Sequence, residues 1–425
     1  MPPSVSTVHQ HTLVNGLRVV IAPVAASPLV GLNLRLEVGS RHEQVGQHGY
    51  AHLFEHLMFS GTRSVPNGAH MAAIQTVGGN VNASTSTDST NFNHVVGHED
   101  YTAVLALEAE RLKHLADALD DAGVGREIEV VSNERFEQEG RPFGDVNELV
   151  ASLLYPAPHP YAHLPLAPLG DVRAASRDSV VAFFTTHYVP SRAAIAIVGS
   201  VDPEAALGAV DHYLSGFSPG PDPCGQEHVE ETPSPGGDTP VRAERSGVWG
   251  PRLFIGLSIP PAGTLGHERT KLLAQLLAGG HDGLLIGALG RDRKLVSDVN
   301  IRFMSQARHA ALCVVELVAL PGADLADLES AYAEAVASID LTRLRPQALE
   351  RLLGLYRSAW LCNRDRVGGH ANDLSFAVLF QDGPWAPDTM YDAMLRTTLA
   401  DLTEALGCFR LGGDCAVVRY RHADR

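Results

Sequence analysis

From Phe217 to Pro240 the chain reads FSPGPDPCGQEHVEETPSPGGDTP, dense in Pro, Gly and acidic residues and without hydrophobic periodicity. A segment of that kind favours neither helix nor strand. It therefore divides the 425 residues into two halves, each of domain size and each obliged to bury its own core. The expected organisation is a first domain over 1–218, a linker over 219–240 and a second domain over 241–425.

The two halves carry a similar pattern. Leu17–Ala22, and then Leu29–Val38 with alternation through Leu32, Leu34 and Leu36, predict two strands joined at Ala26-Ser27-Pro28. Gly49–Phe59 has no strand alternation and contains good helix formers, so it is expected to be a helix that Gly61 stops. A second helix is expected over Gly68–Val77, ended by Gly78-Gly79. Val81–Val96, rich in Thr, Ser and Asn, reads as a hairpin with polar edges. Long helical patterns follow over Asp100–Leu119 and Arg126–Glu137. Past the linker, Arg252–Ile259 predicts a strand and His267–Leu277 a helix ended by Gly279-Gly280. The recurring order of strand, helix and glycine stop predicts two related domains.

Composition removes several classes of function. Hydrophobic residues at 45% and charged residues at 19% are ordinary for globular cores, which excludes disordered, collagen-like and coiled-coil architectures. A net charge of −16 argues against a nucleic-acid partner. No apolar run reaches the ~18–20 residues needed to span a bilayer, so no membrane partner is expected. The first residues lack the basic and apolar regions of a secretory signal. Five Cys without a CxxC spacing read as reduced thiols. A cytoplasmic location is the expectation, with export by another route left open.

Histidine is unusually frequent, at 20 residues, and two of them fall in His52-Leu53-Phe54-Glu55-His56. On a helix, positions i and i+4 lie one turn apart on one face, so both rings can bind one ion. Glu55 stands beside them and can reach a water at that ion without being a ligand. Chance would produce H-x-x-E-H in a chain of this composition about 0.05 times. A catalytic zinc takes three protein ligands and keeps one position open. The Arg126–Glu137 helix and the residues just after it offer Glu127, Glu129, Glu134, Glu137 and Glu139 for the third. Glu127 and Glu134, seven apart, share one face, and spacing alone does not choose between them.

These residues resemble the pitrilysin-type (M16) inverzincin peptidases, which carry the inverted zinc motif. The likeness extends through Asn15-Gly16-Leu17-Arg18-Val19, Val38-Gly39-Ser40-Arg41, Gly78-Gly79-Asn80 with Asn82-Ala83, and Asn133-Glu134-Arg135. It continues through His159-Pro160-Tyr161, Tyr188-Val189-Pro190 and Ile197-Val198-Gly199 with Asp202-Pro203. The resemblance implies an α+β fold of the LuxS/MPP-like metallohydrolase type. Each of two homologous α/β domains then holds a mainly antiparallel sheet flanked by helices. It implies one Zn2+ per chain on His52, His56 and Glu134, Glu127 in support behind the ligands, and Glu55 as general base in peptide hydrolysis. Two chains of this length would pair to enclose a chamber, and substrate would add as a strand beside Asn82-Ala83.

The second half departs from the family pattern. Its first helix offers Lys271, Ala274 and Gln275 where a second metal set would stand, so no metal site is expected there. Relatives contribute an Arg and a Tyr from this half to grip the substrate carbonyl. Here Arg291 fits, but Ser297 stands at the Tyr position and is too short to replace a phenol. Either another donor fills in, or the partner is a homologous subunit supplying an Arg–Tyr pair; the second is the expectation, a heterodimer in preference to a homodimer. The alternative function is a non-catalytic scaffold in a larger complex; such family members usually lack the metal residues that are present here.

Overall fold

The computed structural model describes residues 7–220, 239–247 and 249–422, so residues 221–238 of the expected linker lie outside it. The chain runs β1 (His9–Thr12), β2 (Arg18–Pro23), β3 (Leu29–Leu36), α1 (Tyr50–Leu57), α2 (Ala69–Thr76), β4 (Asn80–Thr85) and β5 (Thr90–Gly97). It continues with α3 (Tyr101–Ala118), α4 (Asp121–Gly140), α5 (Val146–Leu154), α6 (Leu169–Ala174), α7 (Arg177–His187), β6 (Ala193–Gly199) and α8 (Pro203–Leu214). The remainder is β7 (Val241–Gly247), β8 (Arg252–Ile259), α9 (Leu265–Ala278), β9 (Val296–Met304), β10 (Ala311–Ala319) and α10 (Leu325–Ser338). Four helices, α11 (Pro346–Asp365), α12 (Val367–Phe380), α13 (Ala386–Met394) and α14 (Leu399–Leu406), precede β11 (Cys415–His422).

Two compact units form, and they do not follow chain order. The first is drawn from Met1–Glu137, Leu164–His228 and Leu361–Asp388, and the second from Gln138–His163, Val229–Trp360 and Thr389–Arg425. Helix α5 thus belongs to the second unit and α12 to the first.

In the first unit the sheet order is β1-β2-β6-β3-β5-β4, with β2 and β6 parallel and every other pair antiparallel. In the second it is β7-β11-β8-β10-β9, with β7 and β11 the parallel pair. Apart from β1 the two topologies are the same, which is the repeated, mainly antiparallel α+β architecture expected from the sequence.

Alternation along the strands sets the two faces of the first sheet. Val19, Ile21, Leu32, Leu34, Leu36, Ile195 and Ile197 point into the larger core with α1 and α3. Val20, Ala22, Ala194, Ala196 and Val198 point the other way, onto Val367, Ala371, Leu374 and Val378 of α12. That second face is built from small residues, which lets the helix backbone come close. A Cβ at Gly31 would stand 2.4 Å from the Val367 carbonyl oxygen. The second unit repeats the device: a Cβ at Gly256 of β8 would stand 2.3 Å from Val150 Cγ1 of α5. Cys313, Cys362, Cys408 and Cys415 are free thiols. No described helix is long and apolar enough to cross a membrane.

Gly31→Ala should destabilise the fold by about 1–3 kcal/mol, because backbone atoms rather than a movable side chain oppose the new methyl. Gly208→Ala, on α8 with nothing within 4 Å of the added Cβ, should be neutral or stabilising by up to about 1 kcal/mol. Denaturant unfolding of the two variants beside wild type checks the contrast.

Candidate metal centre

Helix α1 has no side-chain cap at Gly49, whose φ is +93°. Its first amide groups are met from a distance: Gly49 N–H and Ala51 N–H donate to the two carboxylate oxygens of Glu43, each at 2.8 Å. Packing then fixes its rotation. Leu53, Phe54 and Leu57 are wholly buried, and the Phe54 ring packs on Phe183, Phe184 and Tyr188. His52, Glu55 and His56 consequently share the half-buried face.

Helix α4 meets that face. It buries Val124, Val131 and Ser132, and Arg135 Nη1 donates to the Leu166 carbonyl at 2.8 Å, so the side chain one residue earlier projects away from the core. The Glu134 carboxylate oxygen Oε2 lies 3.5 Å from both His52 Nε2 and His56 Nε2. These distances are long for hydrogen bonds. They suit donors around a common ion: tetrahedral zinc with bonds near 2.0–2.1 Å separates its ligand atoms by about 3.4 Å. Burial, then the neighbouring His56 ring, lowers the His52 pKa to about 4, which keeps its ring neutral and able to donate a lone pair at neutral pH. His52 Nδ1 is buried without a hydrogen-bond partner among the described residues. The residues present thus fit a zinc ion in donor type, number and spacing.

Glu55 is held separately. Thr85 Oγ1, at the end of β4, donates to Glu55 Oε2 at 2.7 Å. Burial raises the Glu55 pKa, and the Thr85 hydrogen bond opposes that shift. Glu127, on the same helix as Glu134, accepts from Ser60 Oγ at 3.1 Å, so it ties α4 to the residues that follow α1. Asn82 and Ala83 lie on β4, the outermost strand of the sheet, where they pair with Asn93 and Phe92. Arg291 and Ser297 belong to the second unit. Arg291 lies at the end of a short helix and donates through Nη1 to the His281 carbonyl, and Ser297 is exposed on β9.

Three groups of the site have no local sequence signature. Glu43 caps a helix that starts seven residues later, and Thr85 reaches Glu55 across 30 positions. The third is a second His–His–Glu cluster, His70, His94 and Glu108, all buried. His94 Nε2 and His70 Nε2 lie 2.9 and 3.5 Å from Glu108 Oε1. Arg111 Nε and Nη2 take the other oxygen, and the guanidinium carbon sits 3.9 Å from the centre of the Phe92 ring. Arg111 balances Glu108, and the His70 and His94 rings complete the group. A dication there would face a buried guanidinium, so the cluster is a charge-balanced core network. Among the described residues, both groups of three potential ligands lie in the first unit.

A family model described as Insulinase (Peptidase family M16) matches residues 18–157, and one described as Peptidase M16 inactive domain matches residues 174–355. "Zinc protease PqqE" of Helicobacter pylori is 26% identical over 288 residues, 67% of this chain and 64% of that protein. "Cytochrome b-c1 complex subunit 1, mitochondrial" of Rattus norvegicus is 26% identical over 213 residues, 50% of this chain and 44% of that protein. The chain thus spans less than two thirds of either relative's length. In the fold, a protease from Helicobacter pylori matches with a TM-score of 0.87 at 21% identity, over 98% of this chain and 100% of that one.

Two measurements probe the buried network. Arg111→Met should cost about 3–5 kcal/mol, since it strands a buried carboxylate. Burial, then the Arg111 cation, lowers the His70 pKa to about 3 from an ordinary 6.5. The unfolded chain therefore binds a proton there that the folded chain refuses between those values. Stability should fall as pH drops through that window, by roughly 1.4 kcal/mol per pH unit for one such group. Unfolding midpoints from pH 7 to 4 should show a shallower loss in His70→Asn.

Proposed function

The chain belongs to the M16 peptidase family, and from that premise we propose that it is a zinc-dependent endopeptidase acting on peptides or unfolded segments. One observation carries the reading: His52, His56 and Glu134 converge from two helices on one point, with Glu55 on the same face of α1. His52 Nε2, His56 Nε2 and Glu134 would hold the ion. Bound zinc supplies Lewis acidity toward a water and the scissile carbonyl.

The remaining work falls to the chain's own groups. Glu55 takes the proton of the attacking water and returns it to the leaving amine. The neutral His52 ring keeps its lone pair for the ion rather than for a proton. Glu127, through Ser60, fixes α4 against the end of α1 and so keeps Glu134 opposite the two imidazoles. An extended substrate adds main chain to main chain along the free edge of β4, beside Asn82 and Ala83. Registration along that edge presents one peptide bond to Glu55, whose carboxylate is tied to the same strand through Thr85.

The second half contributes no ligand cluster among the described residues, and its matching family model is described as inactive. A homologous partner subunit supplying an Arg–Tyr pair accords with Ser297 at the Tyr position, with Arg291 as this chain's own contribution. The b-c1 relative is by its name a subunit of a larger complex, which supports an assembled state.

Glu55→Gln should bind zinc as wild type does and lose cleavage of a quenched peptide by at least about a hundredfold. His56→Ala and Glu134→Ala should lose both zinc and cleavage. Metal content by elemental analysis beside the peptide assay checks this; an active Glu55→Gln chain would refute the base assignment.

A further inference from the structure

A general base on a half-buried helix face has to be both ionised and aimed. The Glu55 side chain turns about three bonds, and the core residues of α1, Leu53, Phe54 and Leu57, lie on the opposite side of the helix. What fixes the Glu55 carboxylate comes from the sheet. Thr85 Oγ1 donates to Oε2 at 2.7 Å, and the Thr85 backbone lends the carboxylate a further hydrogen bond. Threonine is well suited to hold it, because a β-branched residue in a strand has few side-chain rotamers and its hydroxyl direction follows its backbone. That backbone is the last residue of β4, paired with Thr90 on one side only, since β4 closes the sheet.

We propose that Thr85 is a positioning residue for Glu55 and makes the aim of the base depend on the edge strand that receives substrate. A peptide strand laid along β4 restrains the backbone at Thr85 and, through its hydroxyl, the carboxylate that must face the water. Substrate alignment and base alignment become one event. The inference rests on the peptidase reading above, and its geometry can be examined without catalysis.

The experiment compares full-length wild type, Thr85→Val and Thr85→Ser. Val keeps the branched shape and strand preference and removes only the hydroxyl; Ser keeps the hydroxyl. With zinc bound, Thr85→Val should lower kcat about tenfold to a hundredfold on a quenched peptide. KM should stay within about twofold and zinc content should not change, and Thr85→Ser should recover kcat to within a few-fold. Crystal structures of the metal-free chains supply the second readout: Glu55 Oε2 within hydrogen-bond distance of residue 85 in wild type and Thr85→Ser, and a displaced carboxylate in Thr85→Val. Unchanged kcat in Thr85→Val, a Thr85→Ser chain as slow as Thr85→Val, or an unmoved carboxylate in the Thr85→Val crystal would each overturn the proposal. An inactive wild type or an active Glu55→Gln chain counts against the peptidase reading, and the crystal comparison then decides the positioning role alone.

Discussion

The site depends on the placement of one eight-residue helix. A helix as short as α1 is not stable by itself. It also starts at a glycine in the left-handed region, with no capping side chain of its own. Glu43 supplies the missing acceptors, with one oxygen for Gly49 N–H and one for Ala51 N–H. A carboxylate at a helix N-terminus also meets the positive end of the helix dipole. Phe54, set among Phe183, Phe184 and Tyr188, then removes rotation about the axis. With the start and the rotation fixed, the places of His52, Glu55 and His56 follow from helical geometry alone. The precision of the candidate centre is therefore the precision of a hydrophobic core and one distant cap.

Two clusters of the same composition show what environment does with identical side chains. His52, His56 and Glu134 sit at a surface where the Glu134 side chain is 43% exposed. An ion can enter there, and water can reach it. His70, His94 and Glu108 are enclosed, and Arg111 has already supplied the positive charge. Taking Glu108 out of water is tolerable only because that guanidinium and the two imidazoles surround it. Donor type alone would score the two groups equally; access and the sign of the nearest charge separate them. The abundance of histidine in the chain is thus partly structural.

Much of the fold was legible because its signals are local. Leu32, Leu34 and Leu36 alternate, His52 and His56 are one turn apart, and the glycines after each helix mark real stops, so β3, α1, α2 and β8 fall close to where periodicity places them. What was not legible is non-local. Nothing near Val146–Leu154 says that this helix serves the second sheet, nor that Val367–Phe380 serves the first. The hint lies elsewhere, in the small residues Gly31, Ala194 and Ala196 on one sheet face, and it appears only once the strands are assembled. Spacing left Glu127 and Glu134 equivalent. The structure distinguishes their neighbours, Ser60 for one and the two imidazoles for the other, because positions seven apart on one face are still about 10 Å from each other along the helix axis.

The repeat within the chain shows how little of the chemistry belongs to the architecture. Both sheets keep the same strand order, the same single parallel pair and a glycine where a helix crosses the face, Gly31 in β3 and Gly256 in β8. The constraint shared by the halves is steric: a helix packs so close to the pleated face that backbone at Gly31 and the Val150 side chain at Gly256 leave no room for a Cβ. The ligands are under no such constraint, since they stand on the side of the helix that does not pack. Where α1 offers His52, Glu55 and His56, α9 offers Lys271 and Gln275 on its exposed side and Ala274 inside the core, beside Leu272, Leu273 and Leu277. The same architecture therefore stands with the ligand set in one half and without it in the other, and duplication of the fold carries no duplication of the site.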